Sequence, residues 1–281
     1  MRIARLLYDG APEFAVDVGE GEWLPLSAAG LSIPDTATVA SQLAEIRQAA
    51  RAQGPTLADP TLLPPVVRPE KSIGIGLNYL DHIRETGLQA PDRPVVFAKF
   101  PNSYVGPRHD ILVDPELTSQ PDYEVELAVV IGKPARRVAV DRALDHVLGY
   151  CVANDVSARD WQRAEGQFSR SKSFDTFCPI GPWLTTADEV EDPQDLRLRS
   201  LVNGETRQES TTGEMIFTTA ELISFLSQAI TLAPGDVILT GTPHGVGFAM
   251  DPPRFLQPGD QVRCEIDGLG VLDNTVRHDA S

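Results

Sequence analysis

The alternation of apolar and polar residues predicts one unusual β-strand over residues 122–132. Successive side chains of a strand point to opposite faces, so every second residue shares a face. One face is wholly apolar and consists of Val125, Leu127, Val129 and Ile131. The other face begins with Glu124 and Glu126 and continues with Ala128 and Val130. We therefore expect the apolar face to pack in a core, while the opposite face changes from charged to apolar along the strand.

The pattern on both sides of this strand predicts a β-rich fold. Short apolar runs alternate with Gly, Pro and Asn turn signals, and Asn203-Gly204 is a strong hairpin signal. The clearest helix begins at the capping-box spacing Thr218–Glu221. We expect an α+β chain, with a small N-terminal α+β lobe and linker over residues 1–65 and a mostly antiparallel β domain over 66–281. The linker is expected to start at Gln53, where prolines become frequent.

Two carboxylates on one strand face are a candidate metal site. The Cα atoms of Glu124 and Glu126 are expected about 6–7 Å apart, which is two strand rises. Like charges at this spacing repel one another when they are partly desolvated, and a divalent cation between them turns the repulsion into binding. Mg²⁺ and Mn²⁺ prefer such oxygen ligands. A solvated strand face is the alternative explanation of the same spacing.

A candidate acid–base pair lies on a predicted helix over residues 79–86, which Asn78 is expected to cap and Gly87 to end. His82 and Glu85 are three residues apart and therefore share a helix face. A carboxylate in hydrogen-bond reach of an imidazole orients the ring and stabilises its charged form, which makes a general base. An exposed helical pair without chemistry has the same spacing.

Three further polar groups are candidates for binding. Asp155 lies between a predicted strand and a helix expected to start at a capping box from Ser157, so it is either a metal ligand or a helix cap. Lys172 either neutralises a substrate carboxylate or is a solvated loop lysine. The glycine-rich loop 241–247 lacks the Gly-Lys-Ser/Thr ending of a nucleotide-binding loop, but its amides and Thr242 can cradle a carboxylate.

Composition narrows the possible partners and the compartment. The 281 residues are 42% hydrophobic, enough for a sizeable core, and the net charge of −16 disfavours nucleic acid and anionic membranes as partners. No apolar run is long enough to cross a membrane, and the run that ends before Asp9 is too short for a signal-peptide core. The three widely spaced cysteines argue against a disulfide framework and a structural zinc site. We therefore expect a cytoplasmic protein.

Five motifs follow one another along residues 70–276. They are Gly-Leu-Asn-Tyr at 76–79 with His82 and Glu85 behind it, Tyr-Glu-Val-Glu-Leu at 123–127, Asn-Asp-Val-Ser-Ala-Arg-Asp at 154–160, Lys-Ser-Phe-Asp at 172–175, and Leu-Thr-Gly-Thr-Pro at 239–243. Together they resemble the fumarylacetoacetate hydrolase family, most closely its short acylpyruvate-hydrolase-like members. Residues 1–65 match in general character only. Leu77 departs from relatives that have arginine there, which is expected to affect substrate preference.

The resemblance implies a rolled or sandwiched β domain in a homodimer, with one Mg²⁺ or Mn²⁺ per subunit. The implied metal ligands are Glu124, Glu126 and Asp155. The implied contacts to the 2-oxo acid end of a small anionic substrate are Lys172, Gln162 and Thr242. His82 and Glu85 match a pair that activates water in members that hydrolyse C–C bonds.

The expected reaction is hydrolysis of the C–C bond of a 2,4-dioxo acid to pyruvate and a carboxylic acid, with Lys172 stabilising the pyruvate enolate. The same enolate also permits decarboxylation of a 2-oxo diacid such as oxaloacetate, or enol–keto tautomerisation. A metal-dependent binding or scaffold protein without turnover is a third hypothesis. The side chains expected either to shape the far end of the substrate or to pack in the core are Phe100, Tyr104, Phe168 and Phe248.

Overall fold

The computed structural model describes residues 1–51 and 54–279, so Gln53, the expected start of the linker, lies outside the described residues together with the last two residues of the chain. Eighteen strands and six α-helices form within the described ranges. The strands of the first half are β1 Arg2–Tyr8, β2 Ala11–Asp17, β3 Trp23–Pro25, β4 Leu62–Leu63, β5 Ser72–Gly76, β6 Val95–Ala98, β7 Tyr104–Val105, β8 Asp110–Val113, β9 Pro121–Asp122 and β10 Val125–Ile131. The remaining strands are β11 Val147–Asn154, β12 Ser157–Ala158, β13 Cys178–Thr186, β14 Arg197–Val202, β15 Glu205–Thr211, β16 Val237–Leu239, β17 Gln261–Ile266 and β18 Gly270–His278. The helices are α1 Thr36–Ser41, α2 Leu43–Ala49, α3 Leu80–Thr86, α4 Arg159–Glu165, α5 Phe168–Ser171 and α6 Thr219–Ala229.

Two large sheets make up the fold. The larger has the order β3-β2-β1-β13-β11-β10-β16-β5-β6, with β4 and β7 attached to β1 and β13. The smaller has the order β15-β14-β17-β18-β8, and β9 pairs with β12 separately. Most pairs are antiparallel, while β5–β16, β7–β13 and β8–β18 are parallel. This arrangement confirms the predicted α+β, β-rich and mostly antiparallel fold class.

The strand β10 lies between two hydrophobic cores. Val125, Leu127 and Val129 pack in the core that also contains residues of the smaller sheet and of α6. Ala128 and Val130, on the opposite face, pack in the core that contains residues of α1, α2 and the N-terminal strands. The larger sheet is therefore covered on both faces, and β10 is fully buried along its length.

The N-terminal strands continue the larger sheet, because β1 pairs with β13 through Arg2 and Ile3. Strand β4, inside the expected linker, pairs with β1. The division at residues 65 and 66 stays a prediction. Within the described ranges, no helix has both the length and the apolar character needed to span a bilayer.

Two local expectations near the site are wrong. Asn78 does not cap α3, because its side chain bonds the backbone of Phe217 and Thr240 instead. The hydroxyl of Ser157 donates to the carbonyl of Asp155 and does not cap α4. Asn78 thus takes distant backbone partners and Ser157 takes a carbonyl two residues before it, while the Thr218–Glu221 capping box at α6 forms as predicted.

Candidate active site

Three buried carboxylates meet where β10 begins beside the end of β11. Strand pairing sets Val125 opposite Asn154, and the amide of Asp155 donates to the carbonyl of Glu124 at 2.8 Å. One oxygen from each of Glu124, Glu126 and Asp155 lies within 4.8 Å of the others. Oxygen donors of this charge and spacing fit a hard divalent cation. The site residues that the sequence suggested as ligands are thus brought together.

Buried cations pack against this acidic cluster. Lys172 Nζ lies 2.6 Å from both Glu124 Oε2 and Asp155 Oδ2. Lys99 Nζ lies 2.5 Å from Asp155 Oδ1, and Arg159 lies 2.5 Å from Glu124 Oε1. Lys172 therefore contacts the carboxylates rather than standing in an open loop, as its alternative explanation required.

The formal charges around the cluster nearly balance. Arg159 also pairs with Asp122 at 2.9 Å, so four buried carboxylates face three buried cations. The set carries one net negative charge when all its members are ionised. A bound divalent cation reverses this to one net positive charge, which suits a singly charged anion beside it.

The two glutamates of the cluster have pKa values shifted in opposite directions. Burial raises the pKa of Glu124, but Lys172 and Arg159 outweigh burial and lower it to about 2. Burial raises the pKa of Glu126, and the neighbouring Asp155 and Glu124 raise it further. The difference follows from the contacts, because Glu124 has two cationic partners, whereas Glu126 accepts the amide of Gly241 at 2.8 Å.

The predicted His–Glu pair forms on α3. His82 Nδ1 and Glu85 Oε2 are 3.3 Å apart, and His82 is only 5% exposed. The other oxygen of Glu85 accepts the amide of Gly245 at 2.9 Å, which fixes the carboxylate against the loop 241–247. The ring of Phe248 meets the His82 ring edge-on, with centroids 6.2 Å apart. The pair is therefore held by the loop and is not an exposed helical pair.

One cavity of about 270 Å³ joins the acidic cluster to His82. Its polar lining consists of His82, Glu124, Glu126, Arg159, Gln162, Arg163, Lys172 and Thr242. Its other lining residues are Ile75, Gly76, Leu77, Leu88, Phe168 and Phe248. Glu85 and Asp155 lie outside the cavity lining. Glu85 contacts His82, and Asp155 contacts Lys99 and Lys172.

Two of the three predicted substrate contacts, Gln162 and Thr242, are already oriented by neighbours. Gln162 Oε1 accepts from Arg159 at 2.9 Å. The Thr242 hydroxyl donates to the carbonyl of Val125 at 3.0 Å and accepts from the buried amide of Gln208 at 2.8 Å. Both side chains are thereby fixed on the cavity wall.

The four predicted aromatic residues divide into two pairs. Phe168 and Phe248 line the cavity. Phe100 is 51% exposed outside it, and Tyr104 bonds Ser72 at 2.5 Å away from the cavity lining. The packing alternative therefore describes Tyr104 better.

Sequence reasoning gave no role to Lys99, Arg159 or Asp122. The sequence carried no clear signal for Lys99, since lysine is ordinarily exposed and the strand before it is itself half exposed. Arg159 stands in a recognised motif, but its buried pair with Asp122 joins residues 37 positions apart. Such a pairing requires the fold to be known.

The fold is β-rich, and one cavity brings together carboxylates, cationic side chains and a His–Glu pair. These features are typical of enzymes that bind a divalent cation and a small substrate. Residues 71–277 match the family model described as fumarylacetoacetate (FAA) hydrolase C-terminal, and the chain belongs to this family. The resemblance seen in the sequence motifs is thereby confirmed.

Relatives and solved structures match nearly the whole chain. Oxaloacetate tautomerase FAHD2A of Homo sapiens, a mitochondrial protein, is 45% identical over 275 residues, covering 94% of this chain and 87% of that protein. Fumarylacetoacetate hydrolase from Exiguobacterium antarcticum is 38% identical, with a TM-score of 0.86 over 99% of this chain and 100% of that one. Maleylpyruvate hydrolase from Sphingobium sp. SYK-6, solved with manganese(II) and pyruvate, is 30% identical, with a TM-score of 0.82 over 99% of each chain. The names of these three proteins all refer to reactions of small oxo acids. The cytoplasmic location and the homodimer stay predictions for this chain.

Proposed function

We propose that this chain is a divalent-cation-dependent enzyme that interconverts the enol and keto forms of a short 2-oxo acid through an enolate. The observation that carries the proposal is that one cavity is lined both by Glu124 and Glu126 of the acidic cluster and by His82 of the His82–Glu85 pair. Enolate chemistry requires a base at the carbon next to the oxo group and positive charge at the oxygen. The cavity supplies groups of both kinds.

The proposed metal ligands are Glu124, Glu126 and Asp155. A divalent cation bound there, Mg²⁺ or Mn²⁺, supplies Lewis-acid stabilisation of the negative charge that develops on the substrate. Their three buried oxygens lie close enough together to surround one ion. Among residues 1–51 and 54–279, Glu126 is the proposed ligand that forms no ion pair, and a bound cation would relieve its repulsion with Asp155 and Glu124.

His82 is the proposed base. Its Nδ1 faces Glu85, which leaves the other ring nitrogen for the substrate. His82 removes the proton from C3 of the keto form, and the same proton is returned to the oxygen at C2 to give the enol. Glu85 orients the ring and stabilises the imidazolium, and its bond to Gly245 keeps it in place.

Arg159, Gln162 and Thr242 are proposed to hold the 2-oxo acid end. Arg159 and Gln162 bond one another and line the cavity beside Glu124. Lys172, paired with two carboxylates at 2.6 Å, is proposed to keep the field around the oxo oxygen positive rather than to move a proton. Burial lowers the pKa of Lys172, but the nearby Asp155 and Glu124 outweigh burial and raise it. The raised pKa supports this charged role.

Carbon–carbon hydrolysis, the reaction expected from the sequence, is the second candidate. The observation that favours it is again His82, which in this case deprotonates a water that attacks the 4-carbonyl of a 2,4-dioxo acid. The maleylpyruvate hydrolase of similar fold supports it, whereas the more similar human tautomerase supports the first candidate. Decarboxylation of a 2-oxo diacid uses the same enolate and is a third product to look for.

The deciding experiment is product analysis with a metal-restored enzyme. Chelator-treated protein is given Mg²⁺ or Mn²⁺ and then enol-oxaloacetate, acetylpyruvate or fumarylpyruvate. Metal-dependent loss of the enol without new acids supports tautomerisation, two acids support hydrolysis, and CO₂ supports decarboxylation. No turnover with any substrate and either metal would support the scaffold hypothesis and contradict the proposal.

A variant series tests the proposed base. His82→Gln is expected to lower kcat by about 10²–10⁴-fold while metal affinity is retained, because His82 is not a proposed ligand. His278→Gln, which changes an exposed histidine at the end of β18, is the matched control and is expected to keep full activity. Normal turnover by His82→Gln would remove the proton-transfer role.

A further inference from the structure

A third cationic side chain, beside Arg159 and Lys172, lines the outer part of the cavity. Arg163 lines the cavity and is exposed, whereas Arg159 is 4% exposed beside the acidic cluster. The two residues are four positions apart on α4 and therefore share a helix face. They are offset by about 6 Å along the helix axis, at 1.5 Å per residue. Arg163 thus stands about one helical turn from the inner end of the site.

The guanidinium group of Arg163 has a neutral partner instead of a carboxylate. Arg159 and Lys172 are each paired with two carboxylates. No ion pair among residues 1–51 and 54–279 includes Arg163, whose guanidinium donates only to the amide oxygen of Gln120. The carboxylates that line the cavity, Glu124 and Glu126, belong to the inner end. A neutral amide is a partner that an anion can replace at little cost, because a charged acceptor forms the stronger bond.

The charge balance limits what the inner end accepts. With a divalent cation present, the acidic cluster, Asp122 and the three buried cations would carry one net positive charge when all are ionised, which one carboxylate neutralises. A second carboxylate on the same substrate would then bring an uncompensated negative charge into a largely apolar cavity, which is unfavourable unless it finds its own cation. Arg163 is the cavity-lining cation that remains for it.

We propose that Arg163 binds the distal carboxylate of the substrate, and that the site prefers 2-oxo diacids of four or five carbons over monoacids of the same length. This inference rests on the proposed 2-oxo acid function and assigns its specificity to one residue. The apolar side chains Leu77, Leu88 and Phe168 then face the carbon chain between the two ends. Arg163 turns from Gln120 to the ligand without the loss of any ion pair.

Binding measurements test the proposal without turnover. Calorimetry on the Mg²⁺-loaded protein compares 2-oxoglutarate with 2-oxopentanoate, which differ only in a terminal carboxylate against a methyl group. We expect the wild type to bind the diacid about tenfold more tightly, as one partly exposed charge-assisted contact allows. Arg163→Gln is expected to abolish this preference by weakening only the diacid, and Arg163→Lys to restore part of it.

Arg142→Gln is the matched control, because it removes one positive charge from an exposed ion pair outside the cavity. It is expected to leave the tenfold preference unchanged. Equal binding of the two acids by the wild type, or an equal loss of both in Arg163→Gln, overturns the role of Arg163 while leaving the 2-oxo acid site intact. If neither acid binds the loaded wild type, the proposed function itself is wrong, and the inference is wrong with it.

Discussion

Lys99 Nζ lies 2.5 Å from Asp155 Oδ1, and neither side chain has any exposed surface. The ammonium group also donates to the carbonyls of Lys172 and, at 2.7 Å, of Phe177. Lys99 thus ties a proposed metal ligand to the backbone on both sides of the loop that ends before β13. The other oxygen of Asp155 faces the Lys172 side chain, so each of its oxygens has its own cation.

Removal of Lys99 is expected to destabilise the fold strongly. Lys99→Met leaves Asp155 buried with one cation lost and removes the donor to three carbonyls. Breaking one partner of a buried pair typically lowers the free energy of unfolding by about 3–5 kcal/mol. Urea unfolding of the metal-free protein measures the change. Arg108→Gln, which breaks an exposed pair with Asp59, is the control and is expected to change stability by less than about 1 kcal/mol. A similar small effect for Lys99→Met would show that Asp155 does not need this partner.

Metal binding is expected to release a proton and to strengthen as pH rises. Glu126 has a raised pKa in the metal-free protein, so it retains its proton to higher pH than an ordinary glutamate and must lose it to bind a cation. Affinity therefore increases with pH until the pH exceeds that raised pKa. Glu124, whose pKa is lowered to about 2, is already ionised and adds no slope near neutrality.

Calorimetry in two buffers of different ionisation enthalpy counts the released protons. We expect up to one proton per metal for the wild type between pH 5 and pH 8. Glu126→Gln is expected to bind the metal more weakly and to release none. An affinity that does not depend on pH would contradict the link between Glu126 and the metal.

Asp81 is expected to position the His–Glu pair. Its carboxylate faces the His244 ring at 3.0 Å and accepts the hydroxyl of Ser210, and so it ties α3 to both the loop 241–247 and β15. Asp81→Ala is expected to lower kcat about tenfold with unchanged metal affinity, and to speed amide hydrogen exchange in α3. Arg84→Gln, an exposed change on the same helix, is the control. Unchanged exchange in α3 would contradict the tethering role.

Gly245 is expected to tolerate no side chain. Its φ is +95°, and a Cβ there would lie 2.0 Å from the carbonyl oxygen of Arg207. Gly245→Ala should therefore cost more stability than the roughly 1–2 kcal/mol of an unfavourable φ alone, and should also displace Glu85. Gly268→Ala is the control, since its φ is +76° but the space around it is open. Equal thermal shifts in the two variants would mean that the loop yields to the added methyl group.

The groups that sequence reasoning located are those close together along the chain. Glu124 and Glu126 share a strand face, and His82 and Glu85 share a helix face, so periodicity alone puts each pair together. The β-rich character followed from short apolar runs and turn signals, of which the hairpin at Asn203 formed as expected.

The contacts that sequence reasoning missed join distant parts of the chain. Lys99 meets Asp155 across 56 positions, and the side chain of Asn78 reaches Phe217 across 139. Local pattern favoured a helix cap for Asn78, because a cap is the nearest partner in sequence. A buried amide instead takes whichever backbone groups the completed fold leaves without partners.

The burial of β10 on both faces has a consequence for how new activities can arise on this scaffold. A shift of one residue in its register would turn Glu124 and Glu126 into the core that now contains Val125, Leu127 and Val129. Burial of both faces therefore fixes the register of β10. Changes of substrate are instead accessible at cavity-lining side chains that belong to neither core, among them Leu77, Leu88, Arg163 and Phe168. Directed evolution of this protein is best concentrated on those four positions.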